Sequence, residues 1–520
     1  MGVVNDAEEQ IFRGMQWRSL EVHKEVRRLE GGKAAGLDGI MPEMLKKAGR
    51  ATEEALVSLF NLAWRRLEWP KDWQRAYFMP LYKGDGSQLD PDNYRPLAIS
   101  SVVMKLFEKI LDRRIQTWSE RVGILSDLQG GFRAGRGTVD QLFILNEITA
   151  IRREQGLTTF LCFIDVSKAY DRVWRPGLWL KLREFGMAGR CFDVMRTMYS
   201  RVLRSLLING QMTEEFETEA GVPQGAVLSP FLYAIYINGL HKSLSDAGLG
   251  VCVLGRHVPL LLYADDIVLL ASSEVELQAM LDLVSSYARR WRFHTNHKKS
   301  NVVVMGTRAQ KLRCAAFTWK LAGRRLIVLE EYKYLGAESG KASGAAGRWN
   351  SLLGRLLTRA KLALSALMYQ CGGSDGLRPR TAIAHWKNSV RPVCEYACEL
   401  WEGEISATWV TKLETIQNSV GKAALGLHAN PAALGCGRSW VSRRCNLGVR
   451  SLNYGGGVDC AQSRRRGCFH CSSDVGMRKF CLAVRSSVVC AHYRHFWSPT
   501  GSRKSGWAVG LALRRTGIVL

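Results

Sequence analysis

Two apolar segments that end in acidic residues constrain the fold of this chain most strongly. Phe160–Ile164 is an uninterrupted apolar run of strand length that ends on Asp165, and Leu260–Leu270 is apolar on both sides of Asp265 and Asp266. Such runs predict buried strands, the second folded as a hairpin with its acids at the turn. Turn chemistry alone can explain an isolated acid at a strand end. Two buried strands that both end in acid would leave charges against a core unless something coordinates them.

Carboxylates gathered from separate strands are suited to hold divalent cations. Mg²⁺ prefers oxygen ligands, and nucleotidyl transfer uses two such ions about 3.5–4 Å apart. One ion activates the attacking 3′ hydroxyl, and the other neutralises the triphosphate and the leaving group. We therefore expect Asp165, Asp265 and Asp266 to converge, which requires the two strands to be neighbours in one sheet.

The charge of the chain narrows the class of partner. Lys and Arg number 73 against 47 Asp and Glu, a net charge of +26 that points to a polyanionic partner. Composition alone does not distinguish nucleic acid from an anionic membrane surface, but no apolar run approaches the roughly 18 residues of a spanning helix. The first residues lack the apolar stretch of a secretory signal, which predicts an intracellular protein with reduced thiols.

Five short segments around these acids have the order and spacing of polymerase motifs. Phe163–Asp171 and Tyr263–Asp266 are similar to motifs A and C, and Gly221–Pro230, Asn296–Ser300 and Tyr332–Gly336 to motifs B, D and E. Further matches are Lys33–Ile40, Pro80–Asp85, Asn93–Pro96, Gln129–Gln141, Arg391–Tyr396 and Leu413–Asn418. Together, over about residues 30 to 430, these segments resemble the reverse transcriptases of non-LTR, LINE-like retrotransposons.

The resemblance implies a fold and a domain order. The fold would be an α+β right-hand polymerase with fingers, a palm built on an antiparallel sheet, and a helical thumb. Residues 1–60 would form a helical N-terminal extension, 61–340 the fingers and palm, and 341–430 a helical thumb-like region. Residues 431–520 would be a Cys- and Arg-rich tail.

The resemblance also implies roles for individual residues. Two Mg²⁺ ions, with Mn²⁺ as an alternative, would be held by Asp165, Asp265, Asp266 and the Val166 carbonyl. Lys299 would protonate the leaving pyrophosphate, with Lys298 as its competitor. The nucleotide-binding residues would be Lys83, Arg95, Tyr170 and Gln224, where Tyr170 is either a steric gate against a ribose 2′ hydroxyl or a core tyrosine. Template phosphates would contact Arg133 and Arg136 in a glycine-rich loop, and the primer would contact Tyr334, Leu335 and Gly336.

The tail departs from this resemblance after Gly435. Residues 432–520 carry 15 Lys and Arg against two acids, and they hold seven of the 14 cysteines. One hypothesis is a zinc knuckle that uses Cys468–Cys471, but the later cysteine spacings match no regular zinc module. The hypothesis we prefer is an out-of-frame or degraded reading, because the tail has few acids and no sustained apolar period.

The implied activity is that of an RNA-directed DNA polymerase. Its partners would be an RNA template, a DNA primer or target, and deoxynucleoside triphosphates. One alternative is a catalytically silent RNA-binding remnant of a decayed element, and another is an RNA-dependent RNA polymerase, which Tyr170 disfavours. Because such an element must reach chromosomal DNA, we expect the protein in the nucleus, with binding of element RNA in the cytoplasm.

Overall fold

The computed structural model describes residues 16–84, 86–314, 316–339, 347–371, 377–401 and 404–424. The predicted tail at 431–520, with its zinc hypothesis, lies outside these residues, and so does the start of the chain up to residue 15. Within the described part, no helix is long and apolar enough to cross a membrane.

The secondary structure alternates between helices and short strands. The strands are β1 Arg75–Tyr82, β2 Tyr94–Ser100, β3 Thr159–Ile164, β4 Leu203–Ile208, β5 Gln211–Met212, β6 Phe216–Glu217, β7 Val251–Val253, β8 Arg256–Val258, β9 Leu260–Tyr263, β10 Asp266–Ala271, β11 Asn301–Met305, β12 Lys320–Leu321, β13 Arg324–Arg325, β14 Ile327–Leu329, β15 Tyr332–Tyr334 and β16 Ala337–Ser339. The helices are α1 Ser19–Arg27, α2 Pro42–Lys47, α3 Arg50–Arg66, α4 Val102–Val122, α5 Thr138–Glu154, α6 Arg175–Glu184, α7 Gly189–Met198, α8 Ser229–Asp246, α9 Glu274–Arg290, α10 Arg308–Cys314, α11 Asn350–Cys371, α12 Pro379–His385, α13 Arg391–Cys394, α14 Cys398–Trp401 and α15 Ala407–Ala424.

Helices α1 to α3 pack against the long helix α4 through an aromatic core. The Trp17 ring lies 4.7 Å from Phe107 and meets Phe60 edge-on at 6.0 Å. Ser101 caps the N-terminus of α4, where its hydroxyl accepts a hydrogen bond from the Met104 N–H. Gly123, in the left-handed conformation, caps the C-terminus. Each of the longer helices α1, α3 and α4 is amphipathic and buries its apolar face.

One sheet, which we call the fingers sheet, contains β1, β2, β4, β5 and β6. Strand β1 pairs antiparallel with β2 and parallel with β4, and the sheet order is β2–β1–β4–β5 with β6 also on β4. Its apolar side packs toward α4, whereas Met79, Leu81 and Leu97 on β1 and β2 stay exposed.

A second sheet, the palm sheet, has the strand order β14–β11–β3–β10–β9. All of β3 is buried, and it pairs antiparallel with β10 and β11. Because β3 lies at the centre and is covered on both faces, its run of apolar residues without alternation fits its position. Among the strand pairs described in this sheet, β11 and β14 are the parallel pair. The predicted α+β class with an antiparallel palm sheet is confirmed. The acidic residues lie at the end of β3 and at the turn of the β9–β10 hairpin.

The C-terminal helices form a separate layer in which α11 packs along α15. The buried face of α11 includes Leu352, Leu353 and Leu356. The boundary predicted between residues 340 and 341 falls outside the described part, and the three predicted domain boundaries stay predictions.

Candidate active site

The pairing of β3 with β10 brings the acids of the two apolar segments together. Ile164 lies opposite Ile267, so the next position places Asp165 opposite Asp266. On the other side of β10, Asp266 pairs with Tyr263, and Ala264 and Asp265 form the turn between β9 and β10, which we call the carboxylate turn. Residues opposite each other in an antiparallel pair have Cα atoms about 4.5–5.5 Å apart. Residues a hundred positions apart in the chain thus share one end of the palm sheet.

The three carboxylates influence one another electrostatically. Burial, reinforced by the charges of Asp265 and Asp165, raises the pKa of Asp266 to about 6, although part of this side chain reaches solvent. Burial and the charge of Asp165 also raise the pKa of Asp265, while nearby Arg95 opposes this rise. Negative charges held this close favour a protonated form or a bound cation.

The donor set fits a hard divalent cation. Carboxylate oxygens are the preferred ligands of Mg²⁺, and their mutual repulsion is what such an ion would relieve. Val166 follows Asp165 directly in the chain, and the hydrogen bonds flanking it use the carbonyls of Asp165 and His294 and not its own. Across the described residues, no group of three or more His, Cys, Asp or Glu side chains is already arranged to hold a metal ion. The pairing of β3 with β10 makes the carboxylates neighbours. A bound ion would have to draw them closer together.

Gln129 supports the carboxylate turn, a role that sequence reasoning missed. Its fully buried side chain accepts hydrogen bonds through Oε1 from the N–H groups of Gly131, at 2.9 Å, and Ala264, at 3.0 Å. Ala264 has a φ of 59°, a left-handed conformation that is unfavourable for a residue with a side chain. A Cβ atom on Gly131 would lie 2.4 Å from the Ala264 nitrogen. The glycine-rich loop Gln129–Gly137 is thus packed directly against the residue that precedes Asp265.

The segment after β3 is attached to the motif D segment. The Asp165 N–H donates to Ser300 Oγ at 3.1 Å, and the Asp165 carbonyl accepts from the Asn296 N–H at 2.8 Å. Tyr332 of β15 stacks on Phe163 with ring centroids 4.4 Å apart, and its hydroxyl donates to the Lys299 carbonyl at 3.2 Å. The backbone of Asp165 is therefore fixed from two sides. The sequence gives no signal for these contacts of Ser300 and Tyr332 beyond their positions in motifs D and E.

Tyr170 and Gln224 lie on the same side of the carboxylates. Tyr170 is half-buried and stacks on Tyr233 at 5.1 Å. Burial, with the charge of Asp265 as a second cause, raises the pKa of its hydroxyl above the ordinary range. The Gln224 amide donates to the Asp171 carboxylate at 3.2 Å, and its backbone carbonyl accepts from the Ala98 N–H of β2. Asp171, which sequence reasoning left without a role, orients Gln224.

The predicted phosphate-binding cations lie at the ends of the fingers strands. The Lys83 ammonium donates to the Asp92 carbonyl, and Arg95 is exposed on β2, close enough to lower the pKa of Asp265. Lys299 and Lys298 are both exposed, so the geometry leaves the choice between them open.

The arginines of the glycine-rich loop are bound to acidic residues of the protein. Arg133 is only 8% exposed, and its guanidinium binds Glu120 through two hydrogen bonds of 2.7 Å and the Ser126 carbonyl at 2.8 Å. Arg136 binds the carbonyl and carboxylate of Asp127, both at 2.7 Å. Acids at the end of α4 and in the following turn engage both guanidinium groups, which therefore hold the loop, and the predicted contact with template phosphates stays a prediction.

The predicted primer-contacting residues form the turn between β15 and β16. Leu335 and Gly336 have φ angles of 44° and 88°. The Tyr396 hydroxyl donates to the Leu335 carbonyl, and Arg355 donates to the Gly336 carbonyl at 2.9 Å, so helices of the C-terminal layer hold this turn. The Tyr334 side chain is buried against Phe163 and faces the core.

A central sheet with acids at the ends of two neighbouring strands, flanked by a fingers sheet and a helical layer, is the arrangement expected of a right-hand polymerase fold. The model of the family described as reverse transcriptase (RNA-dependent DNA polymerase) matches residues 82–339. The chain belongs to the reverse transcriptase family, and its relatives place it in the non-LTR group of that family.

Several of the relatives come from mobile elements of insects. Over 446 residues the chain is 26% identical to the probable RNA-directed DNA polymerase from transposon X-element of Drosophila melanogaster, covering 81% of this chain and 46% of that protein. It is 28% identical over 403 residues to the RNA-directed DNA polymerase from mobile element jockey of Drosophila funebris, covering 76% and 42%. It is 30% identical over 233 residues to the Pol polyprotein of retrotransposable element R2 of Popillia japonica, covering 44% and 32%.

The chain therefore spans less than half the length of these relatives. Among solved structures, apo telomerase from Candida tropicalis aligns over 56% of this chain and 59% of its own, with 13% identity and a TM-score of 0.37. So low a score carries no argument about function.

Proposed function

We propose that this chain is the RNA-directed DNA polymerase of a non-LTR retrotransposon, which extends a primer 3′ end along an RNA template with deoxynucleoside triphosphates. The observation that carries the proposal is the meeting of Asp165, Asp265 and Asp266 at one end of the palm sheet. Family membership supplies the reaction class, and the net charge of +26 suits a nucleic-acid substrate.

The carboxylates are the residues that would hold the metal ions. Asp165 and Asp265 are our first choice as ligands, with Asp266 and the Val166 carbonyl beside them. When bound, two Mg²⁺ ions would activate the primer 3′ hydroxyl and neutralise the charge on the triphosphate. The rigid attachment of Asp165 to the motif D segment keeps one carboxylate in place, and the Gln129 contact keeps the carboxylate turn in place. Such preorganisation lowers the cost of assembling the site during the reaction.

The nucleotide would lie between the carboxylates and the fingers sheet. Arg95 can contact a phosphate through two parallel hydrogen bonds, and Lys83 lies at the adjacent strand end. The Tyr170 ring is held by its stacking on Tyr233, so it cannot easily move aside for a 2′ hydroxyl. This rigidity supports Tyr170 as the steric gate that selects deoxynucleotides. Lys299 is our candidate to protonate the leaving pyrophosphate.

A primer-extension assay tests the proposal. Purified full-length protein, an RNA template with an annealed DNA primer, deoxynucleotides and MgCl₂ should give extended primer. Asp265→Asn keeps the size of the side chain but removes its charge, and we expect extension to fall to background. Asp246→Asn, on the exposed end of α8, is the matched control and should extend as the wild type does.

Two other functions are outcomes of the same assay. Equal, background extension by wild type and Asp265→Asn, with retained RNA binding, would favour a catalytically silent remnant. Preferred incorporation of ribonucleotides would favour an RNA-dependent RNA polymerase. We further propose that the protein acts in the nucleus after binding element RNA in the cytoplasm; imaging of a tagged full-length chain tests this localisation.

A further inference from the structure

Phe132 is an exposed aromatic residue in a strained backbone conformation. Its side chain is 48% exposed, and its φ of 57° lies in the left-handed region. For a bulky residue such a conformation is an outlier, and strain of this kind persists where the surrounding structure enforces it. About half of the side chain is therefore open to a ligand.

The loop that carries Phe132 is anchored at the candidate active site. Its neighbour Gly131 touches the backbone of Ala264, and Gln129 binds the N–H groups of both of these residues. From standard bond lengths and the 3.8 Å spacing of consecutive Cα atoms, the Cα atoms of Phe132 and Asp265 are at most about 13 Å apart. A nucleic-acid end at Asp265 therefore lies close enough to Phe132 for a neighbouring base or sugar to reach its side chain.

The charged residues of the same loop point elsewhere. Arg133 is buried on Glu120, and Arg136 is bound to Asp127. These contacts hold both flanks of the loop and leave Phe132 as its exposed apolar group. The loop therefore presents an aromatic face to the substrate and not the positive charge that its sequence suggests.

We propose that Phe132 stacks on a base or sugar of the bound nucleic acid beside the carboxylate turn. The inference rests on the proposed polymerase function, because that function brings a nucleic-acid 3′ end to Asp265. An aromatic ring can stack on every base without regard to sequence, which suits a polymerase that copies any template. The rigid support from Gln129 and Gly131 places this ring at a fixed distance from the reacting end.

Equilibrium binding of the full-length chain, measured by fluorescence anisotropy without nucleotides, tests this contact. The probes are a labelled DNA primer annealed to an RNA template, and the same RNA as a single strand. We expect Phe132→Gly to weaken binding of the hybrid by about 5- to 150-fold, the range that loss of one stacked base corresponds to. Phe132→Leu should lose a similar factor, and Phe132→Tyr should bind as the wild type does. A loss with both probes assigns the contact to the template strand, and a loss with the hybrid alone assigns it to the primer end.

Leu254→Gly is the matched control. Leu254 is also a large apolar residue, 44% exposed, with a φ of 50° in the turn between β7 and β8. Glycine relieves the same strain at both positions, so neither variant should lower the melting temperature. Unchanged hybrid binding by Phe132→Gly and Phe132→Leu would overturn the proposal. So would an equal loss in Phe132→Tyr, or a lowered melting temperature that accounts for the loss. Primer extension by the wild type, scored separately, reports on the proposed function itself.

Discussion

Replacement of Glu108 by glutamine should change the way stability depends on pH. Glu108 lies on α4 and is 3% exposed, and burial raises the pKa of its carboxyl group from 4.5 to about 7. Its carboxyl group accepts a hydrogen bond from the Val227 N–H at 3.0 Å, which links α4 to the loop that follows Gln224. Arg204 lines the same cavity but forms no ion pair with it within 4 Å.

The sign of the effect follows from where the proton is bound. Between pH 4.5 and about 7 the folded protein keeps the proton on Glu108, whereas the unfolded chain has released it. Raising the pH through this window therefore costs stability, and the contribution is fully present only below pH 4.5. One pKa unit corresponds to about 1.36 kcal/mol, so the full loss is of the order of 3 kcal/mol. Glutamine can accept the same hydrogen bond and does not titrate.

Urea unfolding at a series of pH values measures this difference. We expect the free energy of unfolding of Glu108→Gln relative to wild type to rise by about 2–3 kcal/mol from pH 5 to pH 8. Glu154→Gln, an exposed glutamate at the end of α5, serves as the control and should show no such rise. Parallel curves for wild type and Glu108→Gln would refute the reasoning, because they would mean that the buried carboxyl group keeps its ordinary pKa.

Three further substitutions test contacts around the site. Gly131→Ala should lower the free energy of unfolding by about 1–3 kcal/mol and reduce primer extension, because the new Cβ would lie 2.4 Å from the Ala264 backbone nitrogen. Gly137→Ala should be tolerated, because the nearest atom to its Cβ would be 3.6 Å away. Tyr396→Phe removes the hydroxyl that holds the β15–β16 turn. It should lower the free energy of unfolding by about 1 kcal/mol and slow primer extension at saturating nucleotide. Tyr369→Phe, whose side chain is 89% exposed, should do neither. Tyr170→Val should raise ribonucleotide incorporation relative to deoxynucleotide at least about tenfold, the factor for 1.4 kcal/mol of lost discrimination; an unchanged ratio in single-nucleotide extension would assign Tyr170 to the core alone.

The central part of the site could be predicted because local sequence determines it. A run of five apolar residues ending on Asp165 can be buried only as a strand or helix of that length, and the acids between two apolar runs at 260–270 require a turn. Once both strands lie in one sheet with their acidic ends at the same edge, Asp165 meets the carboxylate turn.

The contacts that support the site could not be predicted, because they join residues that are distant in the chain. Gln129 and Ala264 are 135 positions apart, and no periodicity relates them. The basic, glycine-rich loop suggested exposed arginines, yet Arg133 is buried because Glu120 at the end of α4 is within hydrogen-bonding distance. Local composition indicates that a charge exists, whereas its partner depends on how the elements pack.

The central position of β3 has a consequence for gene copies that accumulate mutations. Every residue of β3 is buried, so the geometry of the acids depends on the apolar side chains behind them as much as on the acids themselves. A substitution at Cys162 or Leu161 would displace the reaction centre while leaving all three aspartates in the sequence. Whether a decayed copy still polymerises is therefore better judged from the apolar lining of this sheet than from a count of its acidic residues.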